Sequence, residues 1–347
     1  MPIQRIVVCA AQVPFVRGGA EYHVTELVTQ LRRHGYRAEL VSIPFKWYPK
    51  NELLAHAAAW RLIDLSESNG EAIDLAIGSK FPSYFVRHPN KVAWLIHQYR
   101  AAYDLCGTAY SDFQHIEADV GLRATLLRLD RQMLGECHRI FTNAHNTAAR
   151  LAKFNGLQAK PLYHPPPFAD RLGPGPYDDY VLVVGRLESV KRPDLAVRAM
   201  CFVDRPIRLV MVGEGTERQR TEKLAESLGV ADRVAFLGSV EEARLAELYR
   251  SALAVLYAPY DEDYGYVTLE AFLCQKPVIT AADAGGPLEF VEDGTNGLIS
   301  VPAPEAIAVA INSLASDRAR AERLGLAGSE RARAITWDGV VEALVGP

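Results

Sequence analysis

Residues 161–179 interrupt an otherwise repeating pattern. They hold Pro165-Pro166-Pro167 and Gly173-Pro174-Gly175-Pro176, where fixed φ angles and missing amide donors forbid regular structure. Before them, apolar runs near 3–10, 37–43, 73–77, 91–96 and 138–142 alternate with helical patterns near 19–34, 50–67, 119–135 and 144–154. After them, runs near 180–185, 207–212, 233–237, 253–258 and 277–280 alternate with helices near 192–201, 216–228, 241–250 and 268–275. Apolar runs spaced by helices are the mark of parallel strands buried on both faces. The chain therefore reads as α/β, with two Rossmann-like doubly wound domains spanning 1–167 and 168–330. A length of 347 residues leaves each enough chain for its own core. From about 303 only helix is predicted, and the Trp337-containing segment 331–347 is expected to pack back on the first domain.

Open α/β sheets bind ligands outside the carboxyl ends of their strands. Two such domains facing across a cleft would bring their post-strand loops to one ligand, so chemistry is sought in those loops. Composition narrows the search. The five cysteines are scattered, with no Cys-x-x-Cys spacing, which points away from a zinc site or a disulfide framework and toward a reducing compartment. The apolar run at Ile6-Val7-Val8 is too short for a leader or a membrane span, so a cytoplasmic location is expected. Residues 1–170 carry net charge +4 and residues 171–347 net −8, a mild bias toward an anionic acceptor or a weak peripheral contact of the first half with a membrane. Arg123, Arg128 and Arg131 among the leucines of helix 119–135 would serve that contact, although such a stripe also suits a core helix with solvated charges. No motif points to nucleic acid.

Gly18-Gly19 opens the first helix directly after the first strand. Glycine admits a ligand close to backbone, and a helix N-terminus offers amides and positive dipole to an anion such as a diphosphate. The pattern is not Gly-x-Gly-x-x-Gly, so a dinucleotide fingerprint is absent. The strand Tyr180–Val184 leads to Arg186 and then Lys191-Arg192, fixed cations able to stabilise a departing pyrophosphate without a metal. Small or apolar residues at Gly213-Glu214-Gly215 and Phe236-Leu237-Gly238 end two further strands, where backbone can hydrogen-bond a flat base.

The most informative stretch is Tyr260-Asp261-Glu262-Asp263-Tyr264-Gly265-Tyr266-Val267-Thr268-Leu269-Glu270. Glu262 falls in a loop, and Glu270 follows eight positions later on a helix. A carboxylate can accept hydrogen bonds from two vicinal hydroxyls, which suits Glu270 to a ribose and Glu262 to a transferred sugar. Tyr266, Val267 and Thr268 would supply amides at the helix start for phosphate, with Tyr264 and Gly265 leading in. Asp261-x-Asp263 also resembles a divalent-metal motif, but the nearby cations make a metal superfluous, so neither metal nor cofactor is expected.

With these residues in place, the chain resembles the retaining glycosyltransferase family 4, of GT-B fold, most closely over 180–300. The resemblance rests on Glu262-x7-Glu270, Lys276-Pro277-Val278-Ile279 and Gly285-Gly286-x-x-Glu289. It implies a nucleotide diphosphate sugar donor, UDP- or GDP-linked, and a glycan, lipid-linked or small-molecule acceptor. It places the ribose on Glu270, the donor sugar on Glu262, the diphosphate on Arg186, Lys191 and Gly18-Gly19, and the base on loops 213–215 and 236–238. His97, closing the strand at 92–96, matches a position that in similar enzymes touches donor sugar or phosphate. The family's retention of anomeric configuration implies front-face substitution, the leaving phosphate taking the acceptor proton. Three departures stand out: the loop 98–105 is distinctive, Lys191-Arg192 replaces the commoner Lys-Gly, and Gln275 stands where a small residue is usual. The loop takes no assigned role.

Two other readings share the fold. A catalytically weak nucleotide-sugar-binding subunit would have lost one of Arg186, Lys191, Glu262 or Glu270, all present here. A sugar-nucleotide epimerase of GT-B type would release no nucleoside diphosphate on incubation with acceptor.

Overall fold

The computed structural model describes residues 3–16, 18–204 and 206–346. They fall into two units, one of Met1–His164 with Thr336–Pro347, the other of Pro165–Ile335. The division thus lies at 164/165 and 335/336, where sequence placed it at 167/168 and 330/331.

In the first unit, β1 (Arg5–Gln12), α1 (Gly19–Arg33), β2 (Arg37–Pro44) and α2 (Glu52–Leu62) lead into a short antiparallel hairpin, β3 (Glu67–Ser68) and β4 (Glu71–Ala72). Then come β5 (Leu75–Gly78), β6 (Lys91–Leu95), α3 (Glu117–Gly135), β7 (Arg139–Thr142), α4 (His145–Asn155) and β8 (Lys160–Pro161). The sheet runs β2-β1-β5-β6-β7-β8, parallel throughout. Alternation along β1 sends Ile6, Val8 and Ala10 to one face and Val7 and Cys9 to the other, and both faces are buried. The helix expected over 50–67 stops at Leu62, and the chain beyond it forms a bridge from Asp64 to Arg87 and the hairpin. Strand β8 overlaps the start of the stretch read as pure linker. Its only two residues, Lys160 and Pro161, pair with Phe141 and Thr142 at the sheet edge, where proline is tolerated.

The second unit comprises β9 (Tyr180–Val184), α5 (Pro193–Ala199), β10 (Arg208–Val212), α6 (Arg218–Ser227), β11 (Val234–Gly238) and α7 (Glu242–Ser251). It continues with β12 (Ala254–Leu256), α8 (Tyr266–Leu273), β13 (Val278–Ala281), β14 (Gly297–Ser300), α9 (Pro304–Ser316) and α10 (Arg318–Arg333). Its parallel sheet runs β11-β10-β9-β12-β13-β14. Sequence reading missed β14, whose four residues follow the Asp293–Asn296 turn too closely to show a strand pattern.

The chain then returns to the first unit as α11 (Trp337–Val345). Val340, Val341, Leu344 and Val345 join Val24, Leu27 and Leu31 of α1 on one face of the first sheet. Arg139 at the start of β7 caps this helix, its guanidinium donating to the carbonyls of Ala343 (3.2 Å), Leu344 (3.0 Å) and Gly346 (2.6 Å). A cation on the last carbonyls satisfies orphan acceptors and complements the helix dipole. Helix α3 spends its apolar side on the core through Leu126, Met133 and Leu134. Arg123 is turned inward to the Ala102 carbonyl (2.7 Å), while Arg128 and Arg131 stay exposed. No helix among the described residues is long and apolar enough to cross a membrane.

Each sheet reverses strand order once, between β1 and β5 in the first unit and between β9 and β12 in the second. A crevice opens at the carboxyl ends of the two strands at such a point because their following connections diverge to opposite sides.

Candidate active site

At the switch point of the second sheet, β9 runs out into Gly185 and Arg186, and β12 into Tyr257 and Ala258. A crevice there is lined by these four residues together with Lys191 and Arg192. Lys191 closes a short 3-10 turn, Ser189–Lys191, and its ammonium is ion-paired with the Glu262 carboxylate. The Tyr257 hydroxyl donates to the same Oε2 of Glu262 (3.0 Å) and lies 3.5 Å from the Lys191 ammonium. Arg186 is exposed at the rim. Burial pushes the Tyr257 hydroxyl well above its ordinary range, with the Glu270 and Asp263 carboxylates pushing the same way and Arg186 opposing. Tyr257 thus sits in the field of three of the charges that sequence singled out or flanked.

Glu262 is held by backbone. Its amide donates to the Ala284 carbonyl (2.7 Å), its carbonyl accepts from Gly286 N–H (2.7 Å), and Asp261 N–H donates to the Asp283 carbonyl (2.9 Å). This is a strand-like tie between the loop and the Gly285-Gly286 turn. A Cβ on Gly286 would stand 2.7 Å from the Asp263 carbonyl oxygen, so the second glycine permits the tie. The chain then makes a 3-10 turn over Gly286–Glu289.

Glu270 lies one helix turn deeper, in α8, and is 6% exposed. Tyr249 of α7 donates its hydroxyl to Oε2 at 2.5 Å. Burial pushes the Glu270 carboxyl up to about 7, and the Tyr249 hydrogen bond pulls it back. Gly265 starts the helix with φ 82°, a left-handed conformation, and a Cβ there would press on the Tyr257 ring. Tyr266, Val267 and Thr268 do form the first turn of α8. The Thr268 amide is already spent on the Gly265 carbonyl at 3.0 Å, however, because the turn is tight. Tyr264 is a core residue, edge-on to Phe290 at 5.3 Å.

The loops expected to hold a base are built for packing. A Cβ on Gly213 would collide with the Gly185 carbonyl and one on Gly215 with the Leu187 carbonyl, so both glycines let the loop after β10 press against the loop after β9. Gly213 N–H also bonds the Gly238 carbonyl at 2.8 Å. Glu214 is ion-paired with Arg218. Phe236 packs on the core, and Leu237 is exposed.

In the first unit, Gly18 precedes α1 in extended backbone and Gly19 is its first residue. A Cβ on Gly18 would meet only ordinary contact, with Glu21 at 3.7 Å, so the fold itself does not demand glycine there. Beside them, Lys80 after β5 is ion-paired with Glu21 at 2.8 Å. His97 lies two residues past β6, and its Nδ1–H donates to the Gln98 carbonyl at 2.7 Å. In a neutral ring that places the lone pair on Nε2.

The structure therefore gathers Arg186, Lys191, Glu262 and Glu270 around Tyr257 within one unit, while Gly18, Gly19 and His97 belong to the other. Sequence reasoning missed Tyr257, Tyr249 and the Arg192–Asp283 pair. Arg192 bonds both Asp283 oxygens (2.8 and 2.5 Å), with its guanidinium 5.1 Å from the Tyr260 ring centre. Only Tyr257 left a signal, as a polar-tipped residue in the first position beyond a buried strand. Among the described residues no three His, Cys, Asp or Glu side chains gather as a metal-ligand group.

Residues 170–331 match the model of the glycosyl transferases group 1 family. The second unit carries a glycosyl transferases group 1 domain. Relatives of the chain include the D-inositol 3-phosphate glycosyltransferase of Nocardia farcinica, 32% identical over 242 residues, covering 62% of this chain and 53% of that protein. The enzyme of the same name from Segniliparus rotundus is 29% identical over 281 residues, covering 74% and 62%. The chain thus spans little more than half the length of these curated relatives. Among solved structures, sucrose-phosphate synthase from Thermosynechococcus elongatus superposes with TM-score 0.79 at 20% identity, over 98% of this chain and 97% of that one. HepE of Anabaena, solved in complex with UDP and glucose, superposes with TM-score 0.72 at 17% identity, over 99% and 100%. The fold is GT-B, with the group 1 domain as its second Rossmann-like unit.

Proposed function

We propose that this protein is a retaining, metal-independent glycosyltransferase that moves a hexose-type sugar from a UDP- or GDP-linked donor onto an acceptor hydroxyl. The observation that carries the reading is the gathering of Lys191, Arg186, Glu262 and Tyr257 at the switch point of a sheet inside a group 1 domain. Lys191 and Arg186 take the diphosphate, stabilising charge as it develops on the leaving oxygen. Glu262 accepts from hydroxyls of the transferred sugar, and Glu270 from the ribose, with Tyr249 fixing its rotamer. Gly18-Gly19 and the start of α8 supply backbone amides, and His97 bears on the donor sugar. The bond from the anomeric carbon to the phosphate oxygen breaks as that carbon bonds the acceptor oxygen on the same face, and the acceptor proton passes to the leaving phosphate.

Two kinds of observation support the donor class: solved GT-B neighbours carry UDP or UDP-glucose, and nothing in the fold calls for glycine at Gly18. The acceptor named for the relatives, D-inositol 3-phosphate, is a phosphorylated polyol. An anionic small molecule of that kind agrees with the net charge of +4 over residues 1–170. The test is to incubate the protein with UDP-glucose, UDP-N-acetylglucosamine or GDP-mannose and an acceptor panel that includes D-inositol 3-phosphate, with and without excess chelator. Acceptor-dependent release of nucleoside diphosphate, undiminished by chelator, with an equatorial anomeric proton in the product, is expected. A chelator-sensitive reaction, or an inverted product, overturns the corresponding part of the reading.

A further inference from the structure

A chain of buried polar side chains runs through the first unit away from His97. Gln98, fully buried, donates its amide to Asn155 Oδ1 at the end of α4 (3.3 Å). Asn155 donates to the Tyr103 hydroxyl (3.1 Å) and to the Leu127 carbonyl (3.2 Å). Tyr103 donates to Asp130 Oδ2 (2.5 Å), and Tyr84 donates to Oδ1 of the same carboxylate (2.7 Å). None of the five side chains is more than 2% exposed.

Such a chain is a costly way to fill a core, since every member must be desolvated and paired. Gln98 is not fully paired: its Oε1 is buried without a hydrogen-bond partner. A leucine or methionine would fill that space without the penalty. The feature that sets Gln98 apart is its main-chain carbonyl, which takes the Nδ1–H of His97. Fixing Gln98 from behind therefore fixes the ring orientation and tautomer of the histidine before it, and the His97 carbonyl is itself tied to Phe81 N–H at 3.3 Å. Asp130 lies in the C-terminal half of α3 and Asn155 at the C-terminus of α4, so both helices bear on the loop 98–105, which has no other assigned role.

Resting on the role given to His97 under the proposed function, we infer that Gln98, Asn155, Tyr103 and Asp130 form a positioning relay. It holds His97 as the Nδ1–H tautomer with Nε2 presented as an acceptor. These residues touch no substrate. They act through the imidazole, as outer partners of a functional histidine do elsewhere.

Gln98→Met and Tyr103→Phe test this in the full chain, with Tyr84→Phe as the control. Tyr84→Phe removes a bond to the same Asp130 but not a link between His97 and Tyr103. The two relay variants are expected to lower kcat by about 10- to 100-fold with donor KM within about twofold, and to shift the imidazole 15N resonances of His97 toward the other tautomer. The Tyr84 variant should lose thermal stability while keeping kcat within about twofold. The inference is overturned if the relay variants keep wild-type turnover and an unchanged His97 15N spectrum, or if Tyr84→Phe lowers kcat as much as they do. Should a relay variant fold poorly, Gln98→Met alone decides, since it breaks one hydrogen bond and no other. His97→Ala with full turnover would bring down the role of His97 itself, and the 15N spectra of the other variants would still decide whether the relay sets its tautomer.

Discussion

Lys191 and Glu262 form an ion pair across the switch point of the second sheet, one from the turn after β9 and the other from the loop after β12. Their side chains are 19% and 18% exposed. Neither charge is well solvated, so each is the other's counterion in the ligand-free protein, and a bound diphosphate would compete with Glu262 for the ammonium.

A double-mutant cycle over Lys191→Ala and Glu262→Ala should return a coupling of about 1–3 kcal/mol in urea denaturation, the double variant being more stable than the two single losses predict. Lys191→Ala should lower kcat by about 10²- to 10³-fold. Additive stability losses with normal turnover would remove both the pair and the cation from the account.

Tyr249 and Glu270 set a pH dependence. The Glu270 carboxyl titrates near 7 in the folded protein, above the ordinary carboxyl range, because it is buried. The folded state therefore binds this proton more tightly than the unfolded chain. The group's contribution to stability is complete below the ordinary carboxyl range and is lost as pH rises through about 7. Ribose hydroxyls are best accepted by the ionised form, so UDP affinity should rise several-fold between about pH 6 and about pH 8. Calorimetric titration would show this in the wild type, whereas Glu270→Gln should bind more weakly and with no pH trend. Equal wild-type affinity at both pH values would sink the assignment.

Two positions where the chain departs from the pattern of the family it resembles both lie in the left-handed region, Arg192 at φ 51° and Gln275 at φ 57°. Gln275→Gly should raise stability by about 1 kcal/mol, the relief of a side chain in αL less the extra freedom of glycine when unfolded. Arg192→Gly should gain little or lose stability, because it also breaks the two bonds to Asp283. Chemical denaturation of both variants separates them, and a loss on Gln275→Gly would refute the backbone account.

Arg139 is the device that finishes α11. Arg139→Met keeps most of the side-chain packing but strips three carbonyl contacts, and should cost about 1–2 kcal/mol. Limited proteolysis should then release the C-terminal helix faster than in the wild type. An unchanged cleavage rate would show that apolar packing alone holds it.

The sheets were legible because a parallel strand buried on both faces is written as an uninterrupted apolar run, as at Tyr180–Val184 and Val92–Leu95. Short edge strands escaped: Lys160-Pro161 carries a proline, and Gly297–Ser300 starts on a glycine at the end of a turn. The carboxylates were legible because Glu262 and Glu270 sit in a fixed spacing around a helix start. Tyr249 and Asp283 were not, since each meets its partner through tertiary packing across 21 and 91 positions of chain. The glycines at 213 and 215 have a packing reason as well as the ligand reason read from sequence. Close approach of backbone to backbone leaves the same trace in sequence as close approach of backbone to ligand.

Because α11 comes after the whole of Pro165–Ile335, the first sheet cannot cover its α1 face until the second unit has been synthesised. During translation the later-encoded unit can close its own core first, while Ile6, Val24 and Leu27 wait with one wall missing. A nascent chain halted near residue 335 would expose that wall to chaperones. Joining 336–346 ahead of residue 3 through a short linker would let the first unit complete itself before the second emerges from the ribosome.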